Sequence, residues 1–147
     1  MVLHKQTYRD LPRLAEFIVR NLLFVDHVAL MGLEIMGFTL GNMETLWVDP
    51  VDYQRELFAA VRMLDASGLR ISIYNLQLCV LDTRLWPFAA KSISDWKNEY
   101  FTQCDACAVR SRCGGPFASS KRKHSAHIVP FATDPTLGAE LPLLEND

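Results

Sequence analysis

The sequence of 147 residues has no apolar run near the roughly 18 residues a membrane span requires. Its opening, Met1-Val2-Leu3-His4-Lys5-Gln6, lacks the basic start and apolar segment of a secretory leader. We therefore expect a cytoplasmic protein with no membrane partner. Charge of one sign is also missing: the net charge is -2, the pI is near 6.1, and acidic and basic residues read as interspersed. No global field points to nucleic acid or anionic lipid. Internal repeats and low-complexity blocks are absent. No phosphate-binding glycine loop, nucleophile-base pair or facing carboxylates can be assigned with specificity, so catalysis by this chain alone is not expected. Cysteine is scarce, at four residues, yet three of them fall within ten positions.

Half of the residues are hydrophobic and 22% are charged, the composition of one globular domain with a sizeable core. Leu11, Leu14, Ala15, Ile18 and Leu22 recur at helical spacing within 8–23, with Pro12 tolerable in a first turn. The nearly continuous apolar run Val25 to Glu34 predicts a parallel strand buried on both faces. Asp49-Pro50 opens a second helix, with Asp49 as its N-cap and Tyr53, Leu57, Ala60, Val61 and Leu64 on one face, ending at Ser67-Gly68. Leu69 to Asn75 predicts a second strand. Ser92 to Tyr100 resembles a short capped helix, and 132–147 reads as a loose tail. Alternation of helix and strand predicts an α/β domain.

In a reducing compartment, Cys104-x2-Cys107-x5-Cys113-Gly114-Gly115 points to metal ligation rather than disulfides. Three sulfurs at this spacing can converge on one centre. Cys79, four residues past the second strand, can complete a four-thiolate site through tertiary packing. Gly114-Gly115 suits backbone that must turn tightly and approach closely. Spacing alone leaves three outcomes open: an iron-sulfur centre, a zinc site completed by Cys79 or by His124 or His127, and unligated buried thiols.

The stretches Asn21 to Glu34 (NLLFVDHVALMGLE), Leu46 to Tyr53 (LWVDPVDY), Ile73 to Cys79 (IYNLQLC) and Ser92 to Gly115 (SISDWKNEY, then the cysteines) resemble, in that order, the C-terminal half of the His-Xaa-Ser system radical SAM maturases. The resemblance covers about Tyr8 to Phe131. It implies the C-terminal half of a partial (β/α) barrel with parallel strands over 1–78, and a cysteine-rich extension over 79–131. It further implies an auxiliary 4Fe-4S cluster on Cys79, Cys104, Cys107 and Cys113, and a peptide or protein substrate carrying His-Xaa-Ser repeats. The chain departs from radical SAM enzymes in having no C-x3-C-x2-C loop. S-adenosylmethionine binding is thus expected only with the missing N-terminal half, which another subunit could supply. Pro116 also stands where the family pattern has an aromatic. A stand-alone zinc-binding interaction module and an inactive truncated product are the alternative readings.

Glu34 and Asn75 each end a predicted strand, where barrel-like folds gather their active sites, and the resemblance places Met31 to Glu34 against the cofactor. A loop cap and a turn are the plainer roles. Trp86, Trp96, Tyr100 and Phe117 flank the cysteines and fit core packing better than peptide holding. Lys121-Arg122-Lys123 reads as a solvated run, or as a contact for an acidic partner. Asp95 and Lys97 read equally as acid-base groups or as a cap and a surface charge. The strand before Val28 is expected to be absent, leaving an open edge for a partner chain.

Overall fold

The computed structural model describes residues 1–92 and 99–137. Its centre is a three-stranded parallel sheet, β1 (Val2–Leu3), β2 (His27–Gly32) and β3 (Arg70–Tyr74), in that spatial order. Parallel neighbours require long crossovers. These contain helices α1 (Leu11–Asn21) and α3 (Gln54–Ala66), with a four-residue helix α2 (Met43–Leu46) preceding α3. The chain is therefore α/β, as the alternation of patterns predicts.

Each long helix forms for reasons visible in its own residues. α1 carries Pro12 in its first turn, where a missing N–H costs no helical bond, and buries Leu11 and Ala15. A 3-10 turn at Tyr8–Asp10 takes up the start of the predicted helix. The other predicted helix also begins as a 3-10 turn, Pro50–Tyr53, and Asp49 accepts the Val51 N–H at 3.2 Å, as a cap does. α3 then buries Leu57, Ala60, Val61 and Leu64, and Gly68 follows it with φ +78, the left-handed step that stops a helix. Leu57 is fully enclosed, a burial that contributes on the order of 2 kcal/mol.

α1 and α3 pack together and share one core with Val28, Leu30 and Ile73. Two expectations are corrected here. β2 is not buried on both faces: Val28, Leu30 and Gly32 are buried, whereas His27 and Ala29 are exposed. Both long helices serve the Val28–Leu30 face, and on the other face the His27 Nε2 meets Ser72 Oγ at 3.0 Å in the open. Nor is the strand before Val28 absent. β1 pairs Val2 with Met31 and Leu3 with Gly32, and the Met1 ammonium donates to the Ala29 carbonyl at 2.6 Å. Two residues suffice to cover the end of β2 nearest the site.

Beyond β3 the described chain turns irregular, with 3-10 turns at Leu78–Val80, Thr83–Phe88, Thr102–Ala106 and Ala118–Lys121. Ala89 adds an isolated parallel bridge to Ile73. The expected helix around Ser92 to Tyr100 falls mainly on 93–98, outside the described residues, as do Asp95, Trp96 and Lys97. Within the expected tail, Asp134 is tied to Arg112 at 2.5 Å and to the Thr136 N–H at 2.9 Å, while 138–147 lie outside the described residues. No helix among the described residues is long and apolar enough to cross a membrane.

Candidate functional site

The site begins at Asn75, the residue after β3. Its φ of +54 lies in the left-handed region, which asparagine tolerates better than other non-glycine residues but which still needs support. The support is its own side chain. The buried amide donates to the Gly32 carbonyl at 3.1 Å and the Leu33 carbonyl at 3.3 Å, both at the end of β2, and accepts the Phe117 N–H at 3.2 Å. Gly32 has room for no side chain, because an added Cβ would stand 2.4 Å from the Asn75 carbonyl oxygen. Asn75 thus clasps the tops of two strands to the segment following the cysteine loop.

From this clasp the chain enters the 3-10 turn that carries Cys79, and the loop carrying Cys104, Cys107 and Cys113 lies opposite. All four thiols line one narrow cleft, together with apolar neighbours that include Val109, Ile128 and Phe131. All four are half-buried and none is in a disulfide. The Leu78 and Gly115 N–H groups point at Cys113 Sγ, at 3.5 and 3.4 Å. Gly115 can do this because its φ is +67, and a Cβ there would stand 2.7 Å from the Glu99 carbonyl oxygen. Tyr100 secures the same loop by donating its hydroxyl to the Cys113 carbonyl at 2.7 Å.

The electrostatics follow from the apolar walls. Burial pushes the Cys79 thiol up to about 11; Cys113 and Cys104 push the same way, against a backbone hydrogen bond from Val129. Cys104 is also raised, first by burial, with Cys113 and Cys107 adding to it. Both shifts disfavour the thiolate, so a cation entering the cleft would have to displace protons from these two. Among the described residues no group of three or more His, Cys, Asp or Glu side chains stands ready in metal-holding geometry. The donor set itself fits a thiophilic metal or an iron-sulfur cluster: four thiols, low-polarity walls, and N–H donors aimed at sulfur. Occupancy would require the sulfurs to move.

Trp86 braces the wall behind Cys79. Its indole N–H is shared between the Leu78 and Leu81 carbonyls, at 3.1 Å to each, and its ring meets Phe131 edge-on at 5.5 Å. The packing role expected of this aromatic is the one observed. Phe117 is likewise buried.

The other sequence candidates lie elsewhere. His124 stacks on Phe101 at 4.5 Å, has its Nδ1 3.0 Å from the Ser120 carbonyl, and lines a second cavity beside Tyr53 and Asn75. Neither His124 nor His127 lines the thiol cleft. Glu34 follows β2 and its carbonyl accepts the Met36 N–H at 3.0 Å; it does not line the cleft either. Sequence reasoning missed Gln77, which is 7% exposed and lines both the thiol cleft and the second cavity. Lys91, on the groove just outside the cleft, and Arg110, which lines both groove and cleft, were also missed. A charge count by segment is the signal that could have found the last two.

The described residues thus define an α/β protein whose strand ends carry a four-cysteine cleft. No family model, no curated protein and no solved structure matches the chain.

Proposed function

We propose that this chain is the C-terminal part of a radical SAM peptide- or protein-modifying maturase, acting in the cytoplasm on a substrate with His-Xaa-Ser repeats. In this reading Cys79, Cys104, Cys107 and Cys113 hold an auxiliary 4Fe-4S cluster. One observation carries it: Cys79, 25 positions before the next cysteine, lines the same cleft as the other three. The parallel strands with helices between them are the form that the last strands of a partial barrel would take.

A cluster bound there would supply a one-electron relay or a coordination point beside the substrate. This chain's own residues have three tasks. The four thiols give up their protons to become ligands. The Leu78 and Gly115 amides stabilise negative charge on Cys113 Sγ. Val109, Ile128 and Phe131 give the cleft an apolar wall beside the half-buried sulfurs. Cofactor cleavage needs the C-x3-C-x2-C half of the barrel on a partner or on an upstream segment, and Glu34 then faces that half from the end of β2. Asn75 holds the strand ends in place for it, its amide being bonded to backbone on both sides.

Anaerobic reconstitution with ferrous iron and sulfide tests the reading. We expect a brown protein with about four irons per chain. Cys79→Ser should lose most of that iron, while His124→Ala and His127→Ala retain it. A colourless protein with one zinc and no iron would overturn the cluster. Retention of metal by Cys79→Ser with loss in His124→Ala would replace it with a three-cysteine, one-histidine zinc site.

A further inference from the structure

We infer that the open groove outside the thiol cleft binds a peptide segment through its carboxylate side chains, with Arg110 and Lys91 as the recognising cations. The groove is lined by Lys91, Tyr100, Asp105, Cys107, Ala108, Arg110 and Ser111, and it shares Tyr100, Cys107 and Arg110 with the thiol cleft. A ligand lying in it would touch the outside of the cysteine loop. This deepens the maturase reading, on which it rests for taking a peptide as ligand.

Charge argues for the chemistry. Residues 91–124 contain seven of the 15 lysines and arginines but three of the 17 acidic residues, giving +4 there and -6 over the rest. The interspersed charge expected from the whole sequence does not hold for this segment. Among the described residues lining the groove, two cations accompany one carboxylate, that of Asp105. The Arg110 guanidinium lies 4.7 Å from the Tyr100 ring centroid, and its hydrogen-bond fork is held at the groove wall. Tyr100 is itself fixed by its bond to the Cys113 carbonyl. Arg110 meets Asp105 at 3.4 Å, but both side chains are about half-exposed or more, so an incoming carboxylate can compete for the guanidinium. The Lys91 ammonium donates to the Ser111 carbonyl, leaving two of its three N–H donors for a ligand.

The charge and the groove favour a carboxylate-bearing peptide over nucleic acid. Among the described residues the groove has one aromatic, Tyr100, with Arg110 against its ring, which is a poor stacking platform for bases.

Fluorescence anisotropy of the 147-residue chain decides the matter, with three labelled probes: a 12-residue Glu-Gly peptide, its Gln-Gly counterpart, and a 12-nucleotide oligothymidine. We expect the Glu-Gly peptide to bind at least tenfold more tightly than the Gln-Gly peptide, and its affinity to fall as salt rises. Arg110→Gln should weaken it about tenfold and Lys91→Gln somewhat less, with Arg110→Lys between wild type and Arg110→Gln, each variant melting at the wild-type temperature. Equal binding of the two peptides, indifference to both substitutions, or tighter binding of the oligonucleotide would overturn the inference. Peptide binding is read by anisotropy and the cluster by iron content, so failure of the groove and failure of the cluster are distinguishable.

Discussion

Replacing Asn75 tests the connection between sheet and cysteine loop. The wild-type side chain satisfies the Gly32 and Leu33 carbonyls and the Phe117 N–H at 3.1, 3.3 and 3.2 Å. Removing it leaves three backbone groups without this partner, each costing about 1 kcal/mol or more where water cannot reach. Asn75→Ala should therefore cost roughly 3 kcal/mol for the clasp, plus about 1 kcal/mol for alanine in the left-handed region. Asn75→Gly avoids the second cost but loses about 0.5–1 kcal/mol through the freer unfolded chain. The two variants should thus be destabilised almost equally. If backbone strain were the dominant feature, Asn75→Gly would instead be neutral or stabilising. Urea denaturation followed by far-ultraviolet circular dichroism measures the difference. With a slope near 2 kcal/mol/M, a loss of about 4 kcal/mol lowers the midpoint by about 2 M. A midpoint within about 0.3 M of wild type for Asn75→Gly would refute the clasp.

Tyr53 should give the protein an alkaline limit. Burial first, and the Asp49 charge second, hold its folded pKa above the ordinary value of 10.0. The folded state therefore keeps a proton that the unfolded chain releases. Stability is complete below about pH 10 and falls by up to about 1.4 kcal/mol per unit above it. Tyr53→Phe should flatten that decline in denaturant titrations between pH 9 and 11, and an unchanged slope would count against the assignment. Gly115→Ala should destabilise by roughly 2 kcal/mol, since φ is +67 and the Glu99 carbonyl oxygen would lie 2.7 Å from the new Cβ. Gly114→Ala, with its nearest contact at 3.3 Å and no positive φ, should cost less, and thermal melts that rank the two the other way would contradict the loop geometry.

The parts of the fold that repeat along the chain were legible in the residues. α1 and α3 follow from apolar spacing, and Asp49-Pro50 marks the start of the second predicted helix within one residue of its 3-10 turn. β3 is likewise plain from Ile71, Ile73 and Tyr74. β1 was not, because two residues are too short for any periodicity to register and Val2–Leu3 becomes a strand only by pairing with β2. The exposed face of β2 was misread for a related reason: a continuous apolar run shows that a strand can be covered twice, not that two layers are present. At the site, the Cys104 to Gly115 cluster is local and readable, while Cys79 reaches it through tertiary packing. The roles of Asn75 and Gln77 depend on contacts more than forty positions away or on the shape of two cavities, which no local pattern encodes.

Trp86 is 6% exposed, is fixed at both carbonyls, and stands directly behind the turn that bears Cys79. Its emission should therefore lie towards the blue. A visible-absorbing chromophore installed among the sulfurs would quench that emission by energy transfer, whereas a spectroscopically silent ion would not. With Trp47 and Trp96 replaced by phenylalanine, Trp86 becomes an optical gauge of what occupies the cleft, one that can be followed in dilute solution and in real time.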